Sequence, residues 1–272
     1  MKLIKLLAVA FTFSVFTASV NAQGTFNHGY TSASIFAFGS SPIDPGTPLP
    51  CGIPTSSFGY WFVYKPTANG TLTVDTIGSS FDTVLAAYTG DGQSYTGLVS
   101  VACNDDIGNG TNQSMMIFSV LQGSTNFIHL AGKGSATGSA KINFDLIPSM
   151  TTGSTGQIVS SQSQMLVTNV AEPKPCSVAC KYTRWVRLDA ATTGTLTVDT
   201  MGSSFDTVIE AYLGTAEFGY PTSGSIGCND NAPGSTKSRL TVPVTAGDYV
   251  WVEVGGKGTV RRTIKLNYNL AP

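Results

Sequence analysis

Apolar and polar residues alternate in short runs along most of this chain, and the runs are separated by Gly, Ser, Asn and Pro, which is the pattern of strands joined by tight turns. Residues 58–65 put Tyr60, Phe62 and Tyr64 on one face and Trp61 and Val63 on the other. Residues 184–189 repeat the arrangement, with Val186 and Leu188 opposed to Trp185 and Arg187. The face of Phe62 and Val186 is expected to be core, continued by Leu72 and Val74 and by Leu196 and Val198. Residues 84–88 are apolar on both faces, as expected of a central strand packed from two sides. Further strands are expected at 31–38, 97–103, 114–120, 125–131 and 140–146, and again at 224–228, 239–244, 248–255 and 263–270. Helical periodicity of useful length is absent beyond the N-terminal segment.

The two series follow from a duplication. TLTVDTIGSSFDTVLAAYTG at 71–90 returns as TLTVDTMGSSFDTVIEAYLG at 195–214, an offset of 124, with 16 of 20 positions identical. About eight strands in each copy predict an all-β protein, two tandem β-sandwich, jelly-roll-like domains. The expected division is 23–147 for the first domain, 148–156 for a short polar linker, and 157–272 for the second.

Residues 1–22 have the form of a signal peptide: Lys2 and Lys5, an apolar run at 6–16, and the small-residue site Val20-Asn21-Ala22, with cleavage expected after Ala22. This run is short of the ~20 residues of a membrane span, and no second apolar run reaches that length. The mature protein is therefore expected to be secreted and soluble. The formal charge of the 272 residues is −1, and becomes −3 without Lys2 and Lys5. That balance gives no footprint for nucleic acid. Charged residues make up only 11% of the chain, so solubility must rest on Ser, Thr, Gly and Asn.

Five cysteines in an oxidising compartment should mostly be paired. The repeat makes Cys51–Cys103 and Cys176–Cys228 equivalent bridges and leaves Cys180 over. The competing pairing, Cys180 to Cys228 with Cys176 free, stays open at the level of sequence. No cysteine–histidine set has zinc spacing.

Each copy resembles the bacterial pre-peptidase C-terminal domain. The likeness rests on an upstream cysteine (Cys51, Cys176), a strand opening on Trp (Trp61, Trp185), the GSSFDTV phrase (78–90, 202–214), an Asn-Asp motif after a cysteine (102–106, 228–231), and a strand ending in a small residue and Gly-x-Gly (131–134, 255–258). It covers nearly all of the mature chain. The second copy departs by reading GCNDN for ACNDD and by carrying Cys180. The resemblance implies a compact β-sandwich of the kind appended to secreted peptidases, and the related collagen-binding domains bind calcium and matrix protein.

Calcium seeks six to eight hard oxygens. Asn104, Asp105 and Asp106, with Asp82 and Asp75, form one candidate set, and Asn229, Asp230 and Asn231, with Asp206 and Asp199, form the other. The alternative is that these residues satisfy backbone donors in turns. Trp61, Phe127, Trp185 and Trp251 are candidates for stacking on a sugar or a protein partner, against the alternative of packing under a loop or neighbouring domain. Catalytic residues are scarce. His129 is replaced by Glu253 in the second copy, His28 lies in the polar start, and Ser79 and Ser80 are not in a nucleophile elbow. Asn69, Asn109 and Asn112 head N-glycosylation sequons in the first copy, relevant only in a eukaryotic host. The function expected is non-catalytic binding or adhesion to an extracellular polysaccharide or matrix protein. The alternative is an accessory factor for a separate secreted hydrolase.

Overall fold

The computed structural model describes residues 27–28, 31–35, 48–90, 95–108, 110–160, 166–167, 173–214, 221 and 224–272. The signal segment, the side chain of His28 and the Asn109 sequon lie outside them.

The first repeat contains β2 (Thr31–Ile35), β3 (Thr55–Tyr64), β4 (Gly70–Asp75), β5 (Thr83–Thr89), β6 (Val99–Asn104), β7 (Met115–Val120), β8 (Asn126–Lys133) and β9 (Ala140–Pro148). The second contains β10 (Thr155–Ser160), β11 (Leu166–Val167), β12 (Cys180–Asp189), β13 (Gly194–Asp199), β14 (Thr207–Gly214), β15 (Ser225–Asn229), β16 (Arg239–Val244), β17 (Tyr249–Lys257) and β18 (Ile264–Ala271). Each repeat is a sandwich of two sheets, β3-β8-β5-β6 on β2-β9-β4-β7, and β11-β12-β17-β14-β15 on β10-β18-β13-β16. A two-residue β1 (Asn27–His28) adds to β10 in parallel, so the N-terminal segment joins the second repeat's sheet before entering the first. The all-β fold is as the alternation predicts, and most expected strands are found within a few residues of their ends.

The cores are the expected ones. Leu72, Val74, Leu85, Ile128 and Leu130 fill the first, and Val186, Leu188, Leu196, Val198 and Val252 the second. The duplicated phrase also encodes a polar lock. Thr76 and Thr83 share a hydroxyl hydrogen bond of 2.6 Å, and the buried Ser114 hydroxyl shares its one proton between the carbonyls of Thr83 and Asp105. Thr200, Thr207 and Ser238 repeat this, the Ser238 hydroxyl sharing its proton between the carbonyls of Thr207 and Asp230. Buried hydroxyls are tolerable only when so paired. The lock ties the turn after β4, the start of β5 and the Asn-Asp loop to one another.

The stretch 148–156 is not a free tether. Pro148 ends β9, and Thr155 and Gly156 begin β10. Between them Met150 is 1% exposed within the second repeat's core. Its amide donates to the Asp189 carbonyl, and its own carbonyl accepts from Ala191. Sequence composition marked the stretch as polar and missed that its one large apolar residue is an anchor.

The repeats also pack face to face. Ile107, Met115 and Ile117 of the first form one buried cluster with Trp185, Tyr212 and Trp251 of the second. The outer face of β4-β7-β9 thus meets the outer face of β12-β17-β14. Arg187 is buried between them, paired with Asp189 through Nε and Nη2. It also donates to the hydroxyls of Thr71 and Ser119 across the junction. Its guanidinium lies over the rings of Tyr249 and Trp251.

Candidate functional site

Cys51 pairs with Cys103, and Cys176 with Cys228, at Cα separations of 5.4 and 5.5 Å. The repeat-based pairing holds, and Cys180 is left as a buried thiol. Its pKa is pushed up to about 12, chiefly by burial, so it is no nucleophile at ordinary pH. Cys51 and Cys176 occupy equivalent positions after a proline, and both adopt left-handed backbone angles, φ 52° and 51°. Each bridge ties this turn to the edge strand that leads into the Asn-Asp loop.

In the first repeat that loop brings Asp82, Asp105 and Asp106 together, one oxygen of each lying within 4.8 Å of the others. Lys133 Nζ already sits among them, 2.5 Å from Asp105 and 3.4 Å from Asp106. Its own backbone amide donates to the Asp82 carbonyl, which fixes the base of the side chain beside the cluster. The second repeat copies this with Lys257, 2.7 Å from Asp230 and 3.8 Å from Asp206, while Asn231 supplies no carboxylate. Burial, followed by repulsion from Asp106, raises the pKa of Asp82 against the opposing pull of Lys133. The Lys133 pKa is raised, first by its hydrogen bond to Asp105.

The remaining candidate ligands do other work. Asp75 is buried and accepts from the Ile77 amide and from Asn143 Nδ2. Asp199 accepts in the same way from Met201 and Asn267. Both close turns and stand outside the carboxylate cluster. The Asn104 side chain accepts from the Met115 amide and donates to the Asp106 carbonyl. Asn229 does the same with Arg239 and Asn231. These asparagines brace the loop, as the turn alternative holds. Sequence reading missed Lys133 and Lys257, although the signal was present: the middle residue of Gly-x-Gly is Lys in both copies.

The four candidate aromatics divide. Trp185 and Trp251 are 5% and 0% exposed beneath the first repeat, so they are packing residues, unavailable to a ligand. Trp61 and Phe127, their counterparts on the outer face of β3-β8-β5, are only partly buried. Trp61 stacks flat on His129, with centroids 4.4 Å apart and an interplanar angle of 3°. Tyr88 and Tyr95 flank it at 5.5 and 5.8 Å. Gly59 lets the imidazole lie close against β3, since a Cβ there would collide with it. Burial lowers the His129 pKa to about 4, so the ring is neutral at ordinary pH. Val101, on the edge strand β6, is exposed. Asn69 and Asn112 are both exposed.

No helix of the described residues is long and apolar enough to cross a membrane. Neither a protein-family model nor a curated protein sequence matches the chain. Three solved structures align over most of it. A Paenibacillus xanthan lyase is 10% identical with a TM-score of 0.27, over 90% of this chain and 25% of the lyase. The tandem CBM22-1-CBM22-2 domains of Paenibacillus barcinonensis Xyn10C are 13% identical with a TM-score of 0.23, over 90% of this chain and 92% of theirs. The CUB1-EGF-CUB2 domains of rat MASP-1 are 10% identical with a TM-score of 0.22, over 88% and 97%. This chain spans about a quarter of the lyase. Likeness at this level assigns it no function.

Proposed function

We propose that this chain is a secreted, non-catalytic binding protein, and that its ligand surface is the outer aromatic face of the first repeat, built from Trp61, Phe127 and Tyr95 with Val63 at its margin. One observation carries the proposal. The same face in the second repeat is sealed by a neighbouring sheet, whereas in the first repeat Trp61 and Phe127 keep contact with solvent. Large aromatics held rigid on a sheet and left open to water suit a flat apolar partner surface, whether a sugar ring of an extracellular polysaccharide or a matrix protein. The disulfides hold the adjoining loops in place. Retention of the mature protein on a panel of polysaccharides and matrix proteins is expected to fall at least about tenfold in Trp61→Ala, as for a central aromatic contact. Absence of retention on every member of the panel would sink the proposal.

Calcium belongs to the same proposal, at the first repeat. Asp82 Oδ1 and Asp105 Oδ1 are buried without a hydrogen-bond partner, and with Asp106 these residues bring together three of the six to eight hard oxygens the ion seeks. The Lys133 ammonium competes for them. Millimolar Ca²⁺ is therefore expected to raise the melting temperature of the wild type slightly and that of Lys133→Met by several degrees more, reversibly with chelator. An unchanged melting temperature in both proteins removes calcium from the account.

A further inference from the structure

We propose that the aromatic face of the first repeat receives the outer sheet of the second repeat of another copy of this chain, so that molecules join end to end. This rests on the face being a binding surface and names its protein partner. The template is the junction inside the chain. There the outer face of β12-β17-β14 lies on the outer face of β4-β7-β9, and the duplication presents both kinds of face once more, one at each end of the molecule.

At one end, Trp61, Val63, Tyr88, Phe127 and His129 stand where Trp185, Arg187, Tyr212, Trp251 and Glu253 stand within the junction. The strand registers agree: Trp61 pairs with His129 as Trp185 does with Glu253, and Val63 with Phe127 as Arg187 does with Trp251. At the other end, Thr195, Thr197, Arg239, Thr241 and Pro243 replace Thr71, Thr73, Met115, Ile117 and Ser119. Here too the pairings match, Thr197 with Thr241 as Thr73 with Ile117.

The charges have changed together. Within the chain the aromatic sheet carries Arg184, which reaches Met115 Sδ at 4.0 Å and acts electrostatically on Asp145. At the free ends Tyr60 stands in place of Arg184, Arg239 in place of Met115, and Asn269 in place of Asp145. The cation has moved to the opposite sheet, and the acid on which Arg184 acts, Asp145, has become Asn269. Arg239 brings its own counter-ion, Asp199 at 3.5 Å, with the arginine side chain 55% exposed. An arginine docked over Trp61 gains a cation–π contact without stranding a buried charge.

A contact between unlike faces does not close on itself, so the product is a chain of molecules and not a symmetric dimer. The polar character of the β13-β16 face makes each joint weak. Sedimentation velocity of the mature protein from ~1 to ~200 µM tests this, the range in which joints of micromolar affinity populate. The weight-average sedimentation coefficient is expected to climb with concentration without a plateau at dimer. Arg239→Glu and Trp61→Ala should each hold it at the monomer value. Mixed in equal amounts, the two variants should form a one-to-one complex and stop, because Trp61→Ala keeps the intact tail and Arg239→Glu the intact face. A monomer at every concentration, a plateau at dimer, or association indifferent to Arg239→Glu would each overturn the proposal. Applying Arg239→Glu to the ligand panel separates the two readings. Trp61-dependent retention of a protein that never self-associates leaves the binding surface standing and removes this partner; no retention and no association removes both.

Discussion

Replacing Arg187 with alanine is expected to cost about 3–5 kcal/mol of folding stability, the range for breaking one side of a buried ion pair. The side chain has no solvent contact, and Asp189 beside it has little. Loss of the guanidinium leaves that carboxylate without its bidentate partner and the hydroxyls of Thr71 and Ser119 without their donor across the junction. It also opens a cavity against Tyr249 and Trp251. Urea denaturation measures the loss, and for a chain of this size the melting temperature should fall by roughly 10 °C. A companion variant, Arg187→Met with Asp189→Leu, removes both charges and should recover much of the stability, since the cost lies in the stranded acid more than in the lost attraction. A loss below about 1 kcal/mol for Arg187→Ala would show that the junction contributes little to folding.

The second large effect appears with pH. Two buried groups act in opposite directions between pH 4 and 6.5, and single substitutions should expose each. Burial pushes the His129 imidazole from 6.5 down to about 4. As pH falls, the unfolded chain takes up this proton first, so the contribution is complete above pH 6.5 and is lost toward pH 4. Burial pushes the Asp145 carboxyl from 3.8 up to about 6, against the pull of Arg184 and with repulsion from Asp75. Here the folded chain holds the proton that the unfolded chain releases. Its contribution is complete below pH 3.8 and is lost as pH rises to 6. At about 1.4 kcal/mol per pH unit each group carries roughly 3 kcal/mol, and the two nearly cancel. Asp145→Asn, the residue found at the matching position 269, should leave a stability that climbs with pH by roughly 3 kcal/mol across the window. His129→Gln should leave one that declines by a similar amount. Urea midpoints at several pH values decide the matter, and identical profiles for the two variants would refute it.

Strand positions were legible because a half-buried sheet forces alternation, and that signal is local. The bridges Cys51–Cys103 and Cys176–Cys228 were legible because the duplication supplies a register between distant residues. Alternation separates the two faces of a strand, but does not say what covers the outer one. Trp61 and Trp185 therefore look alike in sequence and differ in what covers them. Met150 escaped because an isolated apolar residue in a polar stretch carries no period. Asp75 and Asp105 were grouped because both are acids at the ends of strands. What divides them is hydrogen-bonding partners such as Asn143, 68 residues away in sequence.

The anchoring of Met150 and the sealing of Trp185 and Trp251 bear on how such a chain can evolve. A tandem duplication usually yields modules that recombination can shuffle. Here a gene fragment carrying the second repeat alone would present two tryptophans and Arg187 to solvent, and would lack the strand that Asn27 and His28 contribute. The first repeat alone would expose Ile107, Met115 and Ile117. Each half therefore covers apolar residues of the other, and neither can be separated without exposing them.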